Sequence, residues 1–417
     1  MNAEHLLAAL NPRHLAFFGG ALLGPILEML RGQGFDGVVS VVNPTRDAIA
    51  GYACLRTVKD LPSPPDMAFL AVNRIETARL VPRLAAMGCK AAIIHAGGFA
   101  EMGADGAAAQ EALVAASGDM AMFGPNAPGF VNFLDGASAF MDNVGSVRFK
   151  RGAAIVSQGG GFLYDAAFAE RGNRFSYFLG VGNQSKTSAA DAIEALLYDE
   201  RVSAIGLVLE GLDNAAPLER ATALALQKGV PVVALKAART AAGATASASH
   251  TAALTGEASL WRAFFRRQAI MPVNSIAELL ETLKICDVTG GIGGNRVFVG
   301  TGSGIQGIIL ADQLADAGFA LPQPSPKAAH SARAVLPEIA HPANPQDVTM
   351  KIWGDGDEEE RVYTALLQDP YDMAILLNNY PPEGVSSTAL FAASTRALIA
   401  AASARGTKAA IVATKTR

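Results

Sequence analysis

The chain has 417 residues, a length that predicts two or three domains at about 150 residues per domain. Half of its residues are hydrophobic, 17% are charged and the net charge is −4, which excludes a disordered chain and gives no basic surface for nucleic acid. The three cysteines are far apart and no apolar run reaches about 18 residues, so we expect a protein of the reducing cytoplasm with no disulfide framework, no metal site and no membrane span.

Regularly spaced apolar runs predict the fold of the first part of the chain. Each run is long enough for one strand and is followed by a helical pattern, and the runs cover residues 14–18, 38–42, 67–72, 91–95 and 120–123. This alternation predicts a doubly wound parallel sheet, because parallel strands are joined by helical crossovers. We predict a first α/β domain over residues 1–148.

The turns after the first two predicted strands favour a nucleotide site. The first turn carries Gly19, Gly20, Ala21 and Gly24. Its spacing is close to the GxGxxG arrangement that lets backbone N–H groups approach a diphosphate, although a glycine turn without a ligand is equally compatible. A nicotinamide site places Asp or Glu about 20 residues further on, after the second strand. That position holds Asn43, Pro44 and Arg46 instead, which favours a phosphate-bearing adenosine such as coenzyme A over NAD.

Two further sets of apolar runs predict two more α/β domains. The second set covers residues 153–157, 175–180, 204–210, 231–236 and 269–273, and the third covers 297–304, 373–377 and 409–413. A glycine-rich linker at 290–294 stands between these sets. The predicted fold is therefore three Rossmann-like or flavodoxin-like parallel-sheet domains, with the second over 149–288 and the third over 289–417. We expect the closing helix of the third domain to be missing or supplied by another chain.

The predicted second domain holds the candidate catalytic and phosphate-binding residues. The turn after its first predicted strand is an anion site or a capped turn, and it consists of Ser157, Gln158, Gly159, Gly160 and Gly161. His250 lies in a run of small residues, and Glu210 ends a strand where a carboxylate would orient an imidazole or simply be solvated. Lys236 and Arg239 would neutralise a phosphate, or form a surface pair at the start of a helix.

In this order the motifs resemble the NDP-forming (ADP-forming) acyl-CoA synthetases and the α subunit of succinyl-CoA synthetase. The resemblance runs from about residue 10 to about residue 350 and is carried by VNPT (42–45), GGFAEMGADG (97–106), GPNAPG (124–129), VSQGGG (156–161), GVGNQ (180–184), VLEGLDN (208–214), ALKAART (234–240), SHTAALTG (249–256) and NPQDVT (344–349). Together these motifs are far more specific than one glycine loop.

The resemblance implies a role for each candidate residue. His250 would be the phosphohistidine, Glu210 would orient it, and the turn at 159–161 would hold its phosphate. Coenzyme A would be held by the turn at 19–24, by Asn43 and Pro44, and by Asn126. In the family reaction an acyl phosphate forms from acyl-CoA and phosphate, its phosphoryl group passes to the histidine, and the histidine passes it to ADP or GDP; synthesis runs in reverse.

The resemblance also implies a partner, because this sequence shows no ATP-grasp segment. A separate β subunit would hold ATP or ADP with Mg²⁺, in an α2β2 or similar assembly, and the substrate would be a small carboxylic acid. The chain departs from the family pattern in a shorter first loop, in Thr45 for Lys, in Ala127 for Cys and in Gly159 for Ser. Two rival functions are a non-catalytic CoA-binding or regulatory protein and an NAD(P)-dependent dehydrogenase.

Overall fold

The computed structural model describes residues 3–212, 214–248, 257–382 and 384–413. The chain divides into two compact units, Met1–Gly290 and Gly291–Arg417. The first unit holds two sheets and the second holds one. All three sheets are mostly parallel and are covered by helices, which confirms the predicted α/β class.

The first sheet contains every strand predicted for the first domain. Its strands are β1 (His14–Gly19), β2 (Val38–Val42), β3 (Ala48–Ile49), β4 (Tyr52–Leu55), β5 (Met67–Ala71), β6 (Ala91–Ile94) and β7 (Ala121–Phe123). Their spatial order is β3-β4-β2-β1-β5-β6-β7, and only β3 runs antiparallel to its neighbour. All six residues of β1 are buried, because this central strand is covered on both faces.

The second sheet takes its last two strands from earlier in the chain. Its strands are β8 (Gly129–Asn132), β9 (Ala137–Phe140), β10 (Gly152–Ser157), β11 (Phe175–Gly180), β12 (Val202–Leu209), β13 (Val232–Lys236) and β14 (Met271–Val273). The order is β14-β13-β12-β10-β11-β8-β9, with β8 antiparallel to β11. The segment predicted as the end of the first domain, up to residue 148, therefore completes the sheet of the second.

The helices of the first unit lie between and around these strands. They are α1 (Ala3–Leu10), α2 (Leu23–Gly32), α3 (Arg74–Met87), α4 (Ala104–Ala116), α5 (Gly161–Ala167), α6 (Ala189–Leu196), α7 (Ala216–Gln227), α8 (Ala241–Ala248), α9 (Ala258–Arg267) and α10 (Ile276–Thr289). Helix α6 starts with a capping box, in which Ser188 and Asp191 satisfy each other's backbone N–H groups.

One hydrophobic core joins the two sheets of the first unit. The same cluster of buried side chains includes Phe17 of β1, Tyr177 of β11 and Leu207 of β12, together with the alanines and leucines of α6. Because burial of this surface requires both sheets, the two predicted domains behave as one compact unit. This arrangement also holds the loops of the two sheets in a fixed relation.

The second unit is a smaller parallel α/β layer structure. Its strands are β15 (Val297–Thr301), β16 (Gln346–Asp347), β17 (Met373–Leu377) and β18 (Lys408–Val412), in the order β16-β15-β17-β18. Its helices are α11 (Gly304–Asp316), α12 (Pro326–Arg333), α13 (Thr349–Ile352), α14 (Gly356–Leu366) and α15 (Ala389–Ala404). Among the described residues of the whole chain, no helix is both long enough and apolar enough to span a membrane.

Candidate functional site

A cavity of about 500 Å³ lies where the two sheets of the first unit direct their loops toward each other. Its walls are formed by loops that follow the carboxyl ends of β6, β7, β10, β11 and β12. In parallel α/β folds this edge is where ligands bind, because the strands end there and helices begin. Its lining includes His95, Glu101, Asn126, Gln158, Asn183 and Glu210.

The glycine turn after β10 forms the part of the cavity wall that the sequence predicts to hold phosphate. Gly159, Gly160 and Gly161 all line the cavity, whereas the Ser157 side chain is buried and donates to the Gly159 carbonyl at 2.7 Å. A Cβ atom on Gly160 would come within 3.0 Å of Pro128, so this turn packs closely against the β7–β8 loop. Ser157 therefore shapes the turn rather than presenting its hydroxyl to a ligand.

Gln158 has a structural role that the sequence does not reveal. Its side-chain oxygen accepts hydrogen bonds from the backbone N–H groups of Glu210 and Gly211, and its side-chain nitrogen donates to the Gly211 carbonyl at 2.9 Å. The amide is thus used to join the β10 and β12 loops. Within the predicted phosphate site, the Gln158 side chain therefore holds two loops together.

Glu210 follows β12 with its carboxylate near the glycine turn. A Cβ atom on Gly159 would lie 3.6 Å from Glu210 Oε1, and that carboxylate has no hydrogen-bond partner among the described residues. The buried Lys236 ammonium donates to the Glu210 backbone carbonyl at 2.7 Å and also to the Ala237 carbonyl. Glu210 therefore has a fixed backbone and an available carboxylate.

Lys236 is not the surface residue that one of the sequence interpretations suggested. Its ammonium lies 5.0 Å from the centre of the Trp261 ring, and only 3% of the residue is exposed. Burial lowers the pKa of this ammonium, and the negative charge of Glu210 opposes that shift. Arg239, three residues later, is exposed.

His250 lies outside the described residues, as does the rest of the segment 249–256. The described chain enters this segment from α8 and leaves it at Glu257, just before α9. Trp261 of α9 contacts Lys236, whose ammonium binds the Glu210 carbonyl. The role of His250, and its pairing with Glu210, remain predictions.

A polar network on the other side of the cavity joins the first sheet to the loop after β11 of the second sheet. Asn183 donates to Glu101 at 2.8 Å and to Gln110 at 3.1 Å, and the Gly98 N–H donates to the second oxygen of Glu101 at 2.6 Å. Burial raises the pKa of Glu101, but these hydrogen bonds outweigh burial and hold it below its ordinary value. Asn126 stands beside this network, exposed and with a positive φ of 60°.

The remaining predicted CoA residues lie further along the same edge of the first sheet. Asn43 donates to the Gly19 carbonyl at 2.7 Å, and its oxygen accepts from the N–H groups of Thr45 and Arg46. This side chain therefore joins the ends of β1 and β2. Pro44 and Arg46 are exposed beside it.

The glycines of the first turn differ in what requires them. A Cβ atom on Gly19 would lie 2.9 Å from the Ala71 carbonyl, so packing within the protein excludes a side chain there. Nothing lies within 4 Å of a Cβ atom built on Gly20 or Gly24, and neither has a positive φ. Neither packing nor backbone conformation within the protein requires glycine at these two positions. The close approach of a ligand would explain why glycine stands there. Neither they nor Ala21 line the cavity.

His95 is a cavity residue that the sequence interpretation placed only in a strand. It follows β6 directly and lines the cavity. The signal in the sequence for its place at this edge was a His at the end of a strand, just before Gly97 and Gly98. Among the described residues, no group of three or more His, Cys, Asp or Glu side chains is arranged to hold a metal ion.

Two family models match the first unit. Residues 25–132 match a model described as a CoA binding domain, and residues 150–286 match one described as a succinyl-CoA ligase like flavodoxin domain. The first match starts just after the turn at 19–24. These two matches cover every residue that lines the cavity except Met141.

Known proteins of similar sequence and structure agree with these matches. The chain is 30% identical to the acetate–CoA ligase [ADP-forming] II subunit alpha of Pyrococcus furiosus, over 86% of this chain and 79% of that protein. It is 28% identical to a trans-feruloyl-CoA synthase of an unknown prokaryotic organism, over 86% of this chain but only 53% of that protein.

The acetyl-coenzyme A synthetase 1 of Ca. Korarchaeum cryptofilum, solved with phosphate and ADP, has the same fold. It has a TM-score of 0.85 and 24% identity, and the match covers 99% of this chain and 88% of that one. Sequence and domain matches together establish that this chain belongs to the NDP-forming acyl-CoA synthetase family, as its α-subunit-like part.

Proposed function

We propose that this chain is the α-type subunit of an acid–thiol ligase that joins a small carboxylic acid to coenzyme A through an acyl phosphate and a phosphohistidine. The observation that carries the proposal is the shared cavity. It brings Asn126, from the CoA-binding domain, together with the glycine turn 159–161 and Glu210, from the ligase-like domain. A thioester and a phosphate must meet at one carbon atom in this reaction, and a cavity between the two domains provides that meeting point.

The roles proposed for the second domain follow from its contacts. His250 carries the phosphoryl group, and the free carboxylate of Glu210 orients its ring by accepting a hydrogen bond from the N–H of the imidazole nitrogen that is not phosphorylated. Backbone N–H groups of the turn at 159–161 bind phosphate oxygens, since Ser157 and Gln158 use their own side chains to hold that turn. The ammonium of Lys236 fixes the backbone of Glu210 through a hydrogen bond to its carbonyl.

Coenzyme A is proposed to lie along the edge of the first sheet. The sheet order places the ends of β2 and β1 on one side of β5, and the ends of β6 and β7 on the other. An extended ligand can therefore run from the Asn43 and Gly20 turns toward Asn126 and the cavity. Glycine at positions 20 and 24, where the protein leaves open space, supports close contact with its diphosphate.

A partner subunit is part of the proposal. The relative from Pyrococcus furiosus is itself named as a subunit alpha, and ATP or ADP with Mg²⁺ would bind to an ATP-grasp β subunit. The substrate class is proposed from the names of the relatives, which include acetate and trans-ferulate. The chain spans about half the length of the second of these relatives, 53%.

The two rival functions have less support. A nicotinamide site needs a free acceptor for a ribose hydroxyl after β2, whereas the Asn43 oxygen already accepts three hydrogen bonds from Thr45 and Arg46. A non-catalytic CoA-binding protein would not need the carboxylate of Glu210 beside a glycine turn. That arrangement favours phosphoryl transfer.

The test is acid-labile, base-stable phosphorylation of this chain. The complex with its candidate ATP-grasp subunit would be incubated with labelled ATP and Mg²⁺, and wild type compared with His250→Ala and Glu210→Gln. We expect label in wild type, none in His250→Ala and slower labelling in Glu210→Gln, with CoA affinity unchanged in both variants. Equal labelling in wild type and His250→Ala would refute the phosphohistidine.

A further inference from the structure

His95 occupies the wall of the cavity that belongs to the CoA-binding domain. Its backbone N–H donates to the Leu70 carbonyl at 3.2 Å, which continues the strand ladder of β6 by one residue. The ring is stacked on Phe69, with centroids 5.8 Å apart and an interplanar angle of 29°. The imidazole therefore has a fixed position at the edge where the strands end.

The hydrogen bond of this ring also determines its tautomer. Nδ1 lies 3.1 Å from the Ala127 carbonyl oxygen. A carbonyl oxygen only accepts, so Nδ1 carries the proton, and Nε2 of the neutral ring is left with its lone pair. Among the described residues, Nε2 has no hydrogen-bond partner, and His95 lines the cavity.

We propose that His95 is the general base that takes the proton from the thiol of coenzyme A when the thiol attacks the acyl phosphate. This proposal rests on the proposed function of the same cavity. In the step, the S–H proton moves to Nε2, the sulfur–carbon bond forms, and the carbon–oxygen bond to phosphate breaks with phosphate as the leaving group. In the reverse direction the imidazolium returns the proton to sulfur as phosphate attacks the thioester.

The other titratable residues of the cavity are poorly suited to this step. Those described are Glu101 and Glu210. Both oxygens of Glu101 accept hydrogen bonds and its pKa is held low, so it is a weak base. Glu210 stands by the glycine turn, on the phosphate side, and is assigned to His250. An alkyl thiol of the cysteine type has a pKa of about 8.5 and is mainly protonated at pH 7, so it needs a base, and a histidine nitrogen with a free lone pair is the side-chain group that most often serves as one.

The test separates the thiol step from phosphorylation. The complex with the ATP-grasp subunit is given acetyl phosphate and CoA, and acetyl-CoA formation is followed from pH 6 to pH 9 in wild type, His95→Asn and His95→Gln. Asparagine can still donate to the Ala127 carbonyl but has no base in the place of Nε2. The exposed His5 of α1 offers a matched control, His5→Asn.

We expect both His95 variants to form acetyl-CoA about 100-fold more slowly at pH 7, a typical size for loss of a general base. The deficit should shrink toward pH 9, where the thiol ionises without help, and phosphohistidine labelling from ATP should be unchanged. A deficit that stays constant with pH, or no deficit at all, would refute the base and leave the proposed function standing. Absence of label in wild type as well would overturn both.

Discussion

Replacement of Lys236 by methionine tests whether the position of Glu210 depends on one buried ammonium. The ammonium donates to the carbonyls of Glu210 and Ala237 and lies 5.0 Å from the centre of the Trp261 ring. Methionine keeps the unbranched chain and its apolar packing but makes none of these polar contacts. The change therefore isolates the charge from the volume.

The size of the effect follows from these contacts. Hydrogen bonds from a charged donor contribute about 1.5 kcal/mol each, and the cation–π contact about 1 kcal/mol. Methionine recovers part of this loss, because no charge has to be desolvated on folding. We therefore expect the free energy of unfolding to fall by about 2–3 kcal/mol. Two carbonyls also lose their buried donor, so the β12 loop should shift and phosphohistidine formation should slow at least about tenfold, since small displacements of a catalytic group are costly.

The chain offers a matched control for this experiment. Lys228 also lies 5.0 Å from an aromatic ring, that of Tyr198, but it is exposed and follows α7, away from the Glu210 carbonyl. Lys228→Met should cost less than about 1 kcal/mol and leave labelling unchanged. Urea unfolding of the first unit and the initial rate of labelling from ATP would be measured for both variants. Wild-type labelling in a folded Lys236→Met protein would refute the positioning argument.

Two further predictions concern stability and pH. Arg201 makes paired hydrogen bonds with Asp135 and contacts Asp199; it holds the pKa of Asp135 low, and its contacts outweigh the raising effect of burial on Asp199. This stabilisation is present above about pH 4 and is lost as pH falls through the lowered pKa values of the two carboxyls. Arg201→Met should therefore lower the free energy of unfolding by roughly 1–3 kcal/mol at pH 7. Urea unfolding should also show a weaker dependence of stability on pH on the acid side. In the second unit, burial raises the pKa of Glu359, which accepts hydrogen bonds from the Tyr363 and Ser394 hydroxyls and from the Gly354 N–H. Its stabilising contribution is present below about pH 4 and is lost as pH rises through the raised value. Glu359→Gln should therefore lessen the loss of stability above about pH 4, and an unchanged pH dependence would refute the assignment.

Most strands of the fold could be predicted from the sequence, because strands covered on both faces are continuous apolar runs. The runs at 14–18, 153–157 and 297–304 are the clearest examples, and each contains an inner strand of its sheet. The hairpin of β8 and β9 was missed, and it joins the second sheet because β8 pairs with β11, whose residues lie 45 to 49 positions later. A pairing of that range leaves no local pattern.

The candidate site divides in the same way between sequence and structure. The glycine turn at 159–161, Glu210 and Asn126 could be singled out from motifs, because strand ends followed by small residues are local features. The hydrogen bonds of the Gln158 side chain and of the buried Lys236 ammonium could not be predicted in this way. Both side chains bind the backbone after β12 from other segments of the chain.

The α/β class, the order of the strands along the chain and the family follow from the amino-acid sequence, because each rests on residues close together in the chain. The packing of the folded chain shows in addition that the first two sheets share one core, and that β6 and β7 face β10 and β12 across one cavity. It also decided the tautomer of His95, because the Ala127 carbonyl that binds Nδ1 comes from 32 residues away. Contacts of this kind depend on how distant segments pack, and packing is a property of the whole unit rather than of any local run of residues.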